Sequence, residues 1–286
     1  MNLLGQSFEI GHIVSVFRDK ERNNRKIKVE IYYPSDLNGD NVPLTTSGKN
    51  KFPVIGFGHG FLIKTSAYGN ITKAIVPQGY ILIFPKKERG LFPSHLNLAK
   101  DMAFVMANLY KLNEEKNSVF YDRIDSMNCV MGHSMGGGSA FVAAGLSPFI
   151  KAIVTLAPFE TRTSAIKAAE KIKIPALIFA GENDCITPAS KNQEPMYDAL
   201  KSQSKTLITI KGGNHCFMAN KNSICGLGEK SCNRHQTLSR QKQHEIINRY
   251  LIPWLNFQLK GDEKAGINFK NLLQTDKEIF STENKP

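Results

Sequence analysis

Short apolar runs, each followed by a longer segment with apolar residues at helical spacing, recur along most of the chain. The runs are Pro53–Phe57, Tyr80–Phe84, Met127–Met131, Lys151–Leu156, Ala176–Ala180 and Thr206–Ile210. Their near-continuous hydrophobicity predicts strands covered on both faces. Between them Leu96–Leu112, Ser134–Ala144, Ser164–Ile172 and Gln193–Ser202 read as helices. This alternation predicts an α/β fold with a mostly parallel, doubly wound sheet and helices on both faces. Ahead of it, Phe8–Val16 and Lys26–Tyr33 flank a charged stretch and predict an antiparallel hairpin. Near the end Leu238–Leu259 carries Ile246, Ile247, Tyr250, Leu251 and Leu255 at helical spacing, and Pro253 is expected to kink or break that helix. The segment Gly261–Pro286 is polar and reads as a tail, mobile at its end. One domain over residues 1–286, with its core at about 26–259, accommodates every element.

Composition agrees with a globular chain. Of 286 residues, 41% are hydrophobic and 22% charged, enough to bury a core without metals or dense disulfides. No apolar run approaches the roughly 20 residues of a membrane span, so integral membrane association is not expected. The net charge is +12, from 37 Lys and Arg against 25 Asp and Glu. Basic residues are spread along the chain, and the densest stretch, Arg18–Lys26, also holds Asp19 and Glu21. Nucleic-acid binding calls for a clustered basic stripe with interleaved aromatics; none is present, and nucleic acid is not expected as a partner.

The chemistry concentrates at Cys129-Val130-Met131-Gly132-His133-Ser134-Met135-Gly136-Gly137-Gly138. An apolar strand runs into G-x-S-x-G, and a small-residue helix follows. That context predicts a nucleophile elbow of the α/β-hydrolase fold, with Ser134 exposed on a strained strand-to-helix turn. Serine needs a base, and the base needs an orienting carboxylate; in this fold they follow in the order acid, then histidine, on loops after later strands. The strand Ala176–Ala180 ends in Gly181-Glu182-Asn183-Asp184, and Thr206–Ile210 ends in Lys211-Gly212-Gly213-Asn214-His215. Asp184 is read as the acid, with Glu182 as its rival, and His215 as the base. The oxyanion donors are assigned to the Met135 and Phe61 amides, the latter in Gly58-His59-Gly60-Phe61-Leu62. His59 is read as bracing that loop, and His133 as packing beneath the elbow. His12 is placed in the hairpin region, His95 in a loop, His235 in a Cys-containing loop and His244 in a helix.

The motifs G-H-S-M-G-G-G, E-N-D-x-I-x-P (Glu182–Pro188) and G-G-x-H (Gly212–His215) resemble those of bacterial cutinases, and more specifically of poly(ethylene terephthalate) hydrolases. The resemblance runs from about Lys26 to Leu259. It implies carboxylic-ester hydrolysis through an acyl-enzyme without a cofactor, a triad of Ser134, Asp184 and His215, and substrate contacts by Phe61, Met135 and Ile186. Phe159, in Leu156-Ala157-Pro158-Phe159, stands where the family has an aromatic, usually Trp. A second departure is the long segment Phe217–Arg240, rich in Cys, Asn and Lys, which is expected beside the catalytic histidine and could lid the cleft. The substrate expected is a small ester or a polyester surface, to which the +12 charge could also aid adsorption; a lipase or amidase of the same fold is the alternative. The protein is expected to be monomeric.

The five cysteines are Cys129, Cys185, Cys216, Cys225 and Cys232. Cys185 follows the acid and Cys216 the base, so they are expected to pair where the two loops meet, leaving Cys225–Cys232 as a second bridge and Cys129 as a buried thiol. The competing reading makes Cys216, Cys225, Cys232 and His235 zinc ligands, although a paired C-x-x-C is missing. Disulfides imply an oxidising compartment, so a secreted or periplasmic location with a removed leader is expected over the cytoplasm.

Overall fold

The computed structural model describes residues 7–47, 51–230, 232 and 237–283. His235, in the zinc reading, lies outside them. Ten strands form one sheet: β1 (Glu9–Asp19), β2 (Arg25–Ser35), β3 (Gly39–Asp40), β4 (Phe52–Gly58), β5 (Ile81–Pro85), β6 (Ile124–His133), β7 (Ile153–Leu156), β8 (Ala176–Gly181), β9 (Lys205–Ile210) and β10 (Ile279–Glu283). Their order is β10-β9-β8-β7-β6-β4-β5-β2-β1-β3. The strands from β9 to β5 in that order run parallel. The β1–β2 hairpin, in register from Glu9↔Ser35 to Asp19↔Arg25, joins antiparallel to β5. The helices are α1 (Gly69–Ile75), α2 (His95–Leu112), α3 (Met135–Leu146), α4 (Ala165–Ala169), α5 (Gln193–Ala199), α6 (Ser223–Lys230), α7 (Arg240–Lys260) and α8 (Glu263–Thr275). The mostly parallel α/β arrangement is the one the apolar runs predict.

Two helical layers explain why those runs are apolar throughout. Along β6, Cys129 and Met131 pack with Ile71, Ile246 and Trp254 on one face, while Val130 packs with Leu98, Met102 and Phe141 on the other. Along β8, Leu177 and Phe179 join the first layer, and Ala176, Ile178 and Ala180 join the second. Successive strand residues point to opposite faces, and here both faces are covered.

The C-terminal region departs from expectation. Pro253 neither breaks nor ends α7, which runs unbroken from its Ser239 N-cap to Gly261 in the left-handed conformation. Ile246, Ile247, Tyr250, Leu251, Trp254, Leu255 and Leu259 form one buried stripe at helical spacing, and that burial outweighs the roughly 3 kcal/mol a mid-helix proline costs. The segment read as a polar tail forms a helix and a strand. Asp262 caps α8 by accepting from the Ala265 amide, Phe269 and Leu273 are buried against α7, and β10 pairs antiparallel with β9. Charged residues on α8 hide a narrow apolar stripe, which is why its composition reads as tail. Among the described residues, no helix is long and apolar enough to cross a membrane.

Candidate active site

Ser134 sits between β6 and α3 at φ 55°, ψ −122°, a backbone conformation strained for any residue with a Cβ. Its neighbours hold it there. The Ser134 amide donates to Leu156 O at 3.0 Å, and Ser134 O accepts from the Phe159 and Gly138 amides, each at 3.0 Å. Two glycines make the turn possible by close approach. A Cβ on Gly136 would lie 2.1 Å from Gly58 O, and one on Gly132 would lie 2.3 Å from Gly136 O. Both obstacles are backbone atoms, which cannot give way.

The acid and base loops leave neighbouring strands, β8 and β9, and are laced together by Asn183 N donating to Gly213 O at 2.8 Å. His215 Nδ1 lies 2.8 Å from Asp184 Oδ2, with both side chains buried. The remaining lone pairs of Asp184 accept from the Ile186 amide (2.9 Å), the Thr187 amide (2.7 Å) and the Thr187 hydroxyl (2.7 Å). Burial alone would raise the Asp184 pKa; the charge and hydrogen bond of His215, with the Thr187 donors, outweigh it and hold the carboxyl below its usual value. Glu182, the rival acid, is exposed and accepts from the Gly212 amide at 2.8 Å, so it steadies the base loop from outside.

His133 packs beneath the elbow, its ring 4.8 Å from that of His215. Burial, then the neighbouring His215, push its pKa well below the usual imidazole value. A neutral ring there adds no charge against an imidazolium on His215. Tyr68 links it to the loop after β4: the Gly60 amide donates to Tyr68 Oη at 2.7 Å, and Tyr68 Oη lies 3.1 Å from His133 Nδ1. His59 braces the same loop, its two ring nitrogens within 2.9 Å of Gly60 O and 2.7 Å of Lys87 O.

Ser134, Met135, Phe61, Phe159 and Ile186 line one cavity of about 540 Å³, together with Thr187, Leu91, Phe92, Pro93, His95, Glu160, Thr161 and Arg162. The segment 87–94 and the stretch after Phe159 carry no motif, and sequence reading missed them. His95 is the first residue of α2, capped by Ser94, rather than a loop residue. Thr187 was also missed, although a hydroxyl three residues after a carboxylate is a recognisable turn pattern.

The cysteine pairing differs from expectation. The bridges are Cys185–Cys232, with Cα atoms 6.1 Å apart, and Cys216–Cys225, 5.6 Å apart. Cys216 starts a 3-10 turn whose side chains, Cys216 and Met218 included, point into the core, whereas Cys185 is only half-buried beside the cleft residue Ile186. The adjacent loops therefore aim their thiols apart, and α6 reaches both. Cys129 is the free, buried thiol. With four cysteines oxidised, those thiolates are unavailable to zinc, and no group of three or more His, Cys, Asp or Glu among the described residues is arranged to hold a metal. The segment 217–240 contributes no described residue to the cavity lining. It braces the base loop instead: Glu229 Oε1 accepts from the Cys216 amide at 2.6 Å and Arg240 donates to Cys216 O, while Gln243, further along α7, bonds both the amide and the carbonyl of Asn214.

Residues 28–265 match the family described as PET hydrolase-like. The chain belongs to that family. Cutinase 2 of Thermobifida cellulosilytica is 33% identical over 203 residues, covering 68% of each chain. Cutinase est1 of Thermobifida alba is 28% identical over 192 residues, 65% of this chain and 56% of that protein. A bis(hydroxyethyl) terephthalate hydrolase of Streptomyces coelicolor is 36% identical over 95 residues, 32% of this chain and 29% of that one. The matched stretch thus spans little more than half of Cutinase est1.

Proposed function

We propose that this PET hydrolase-like chain is a cutinase-like serine carboxylic-ester hydrolase, acting on small esters and on polyester surfaces without a cofactor. The observation that carries this reading is the buried Asp184–His215 pair, 2.8 Å apart, together with a serine held at positive φ on a cavity that Thr187, bonded to Asp184, also lines. His215 takes the Ser134 proton as the hydroxyl attacks the ester carbonyl. The Met135 and Phe61 amides receive the oxyanion, and His215 then protonates the leaving alcohol. Water, activated by the same imidazole, releases the acid and regenerates Ser134. Asp184 fixes the tautomer and stabilises the imidazolium, while Thr187 holds the carboxylate in place. Phe61, Phe159, Met135 and Ile186 give the substrate an apolar bed. The two disulfides support an oxidising compartment, secreted or periplasmic, and the enzyme acts as a monomer.

Hydrolysis of para-nitrophenyl esters of graded chain length, with Ser134→Ala as control, tests the reading. The expected result is ester turnover abolished by Ser134→Ala. Turnover of no ester, or turnover indifferent to that substitution, would overturn it.

A further inference from the structure

The cavity that Ser134 lines is mixed in chemistry. Phe61, Leu91, Phe92 and Phe159 are exposed along its rim, yet Arg162 and His95 line it too. The Arg162 side chain is exposed and makes no ion pair among the described residues. Its backbone amide donates to His95 Nδ1 at 3.0 Å. A nitrogen that accepts carries no proton, so the neutral His95 ring bears its hydrogen on Nε2 as a second donor. Burial, then the Arg162 charge, lower the His95 pKa and keep the ring neutral. His95 also opens the 18-residue α2, placing the positive end of a long helix dipole nearby. Glu160, the carboxylate in the same lining, accepts from the Ile166 amide at Oε2 (3.0 Å) and makes no ion pair with Arg162. A cavity with four exposed apolar side chains in its lining thus also carries a guanidinium without an ion pair and a histidine ring with a free donor.

We propose that Arg162, with His95 in the same lining, recognises a free carboxylate on the substrate, so that the enzyme favours half-esters of dicarboxylic acids over matching neutral esters. The inference rests on the ester-hydrolase reading and names its substrate class. Cleaving one ester bond of a diester adds water across the acyl C–O bond, releases the alcohol and leaves a half-ester anion. An enzyme that grips this anion goes on to the diacid, taking as substrate what the first hydrolysis of a polyester chain end produces. A planar guanidinium suits a carboxylate because it offers two parallel donors, and charge-assisted bonds of this kind are about twice as strong as neutral ones.

The test compares monoethyl with diethyl terephthalate, and acetylated para-hydroxybenzoate with its methyl ester. The first pair carries the carboxylate on the acyl half, the second on the alcohol half. With Arg162→Ala, the ratio of kcat/KM for anionic over neutral ester is expected to fall about ten-fold in the first pair. Arg162→Glu lowers it further, Arg162→Lys restores part of it, and salt weakens the wild-type preference. A response confined to the second pair would refute the half-ester preference, because that carboxylate belongs to the alcohol. A ratio independent of Arg162 in both pairs would refute the proposal while leaving ester hydrolysis intact. Calorimetric binding of monoethyl terephthalate to Ser134→Ala, with and without Arg162→Ala, reads carboxylate recognition without turnover. Equal affinities there would also refute it.

Discussion

Removing the two disulfides separately should have unequal consequences. The Cys185–Cys232 bridge closes a separation of 47 residues and Cys216–Cys225 one of 9. In the chain-entropy treatment these restrict the unfolded chain by about 4 and about 2.6 kcal/mol. Cys185→Ser/Cys232→Ser should therefore cost about 1.5 kcal/mol more than Cys216→Ser/Cys225→Ser, or about 3–6 °C more in Tm at this size. Both bridges end on the segment carrying α6, and Glu229 still holds the Cys216 amide when either is cut. Each double variant should thus keep measurable ester hydrolysis, and the four-fold variant should lose more than the two effects summed, since nothing covalent then holds α6. Urea unfolding and thermal scans supply the stabilities, and peptide mapping without reduction supplies the connectivity. Equal Tm losses, a larger loss for the short bridge, or a mapped Cys185–Cys216 peptide would refute the reasoning.

Other perturbations probe the site directly. Asp184→Asn keeps the shape but reverses the hydrogen-bond roles at His215 Nδ1, and kcat for ester hydrolysis should fall about 10⁴-fold, measured by steady-state kinetics with folding checked by circular dichroism. Tyr68→Phe leaves the Gly60 amide without its acceptor, a loss of about 1–3 kcal/mol; because the affected loop carries Phe61, kcat should drop more than KM changes. At acid pH, Asp276 contributes through its bonds to Arg249 and Tyr250: burial would raise its pKa, but these partners and the Glu278 amide hold it below the ordinary carboxylate value. A depressed folded pKa means the unfolded chain binds more protons, so this stability is complete above about pH 5 and is lost as pH falls through the folded pKa. Asp276→Asn should flatten the acid limb of Tm against pH, and an unchanged limb would exclude Asp276 as a contributor.

The parallel strands and the turns that carry Ser134, Asp184 and His215 were legible because one physical demand fixed each. Strands buried on both faces must be apolar throughout, and a serine on a strained turn must be ringed by glycines such as Gly132 and Gly136, whose Cβ positions would overlap backbone. The segment 87–94 was illegible for the opposite reason. Leu91 and Phe92 are exposed apolar residues without periodicity, and only the path of the chain from β5 into α2 brings them to the cavity that Ser134 lines. Arg162 likewise looks like one more basic residue until the bond from its amide to His95, 67 positions earlier, joins two residues of the same cavity lining.

The cysteines show where inference from adjacency stops. Consecutive placement of Asp184 with Cys185, and of His215 with Cys216, correctly implies that the two loops meet, as the 2.8 Å carboxylate–imidazole contact confirms. Proximity of backbones says nothing about the direction of the next side chain. Once Asp184 and His215 face each other, each following residue is turned by its own local backbone. Asp184 Oδ1 accepts from the Ile186 and Thr187 amides, so the acid loop coils back on its carboxylate and leaves Cys185 near the surface. His215 enters a 3-10 turn that drives Cys216 into the core. A disulfide needs Cβ vectors that converge as well as nearby Cα atoms. The long segment after His215 supplies that convergence twice, with Cys225 early on α6 for the core thiol and Cys232 just past its end for the outer one. A third element therefore connects the acid and base loops, and Glu229 on the same helix adds a hydrogen bond at the residue after the base.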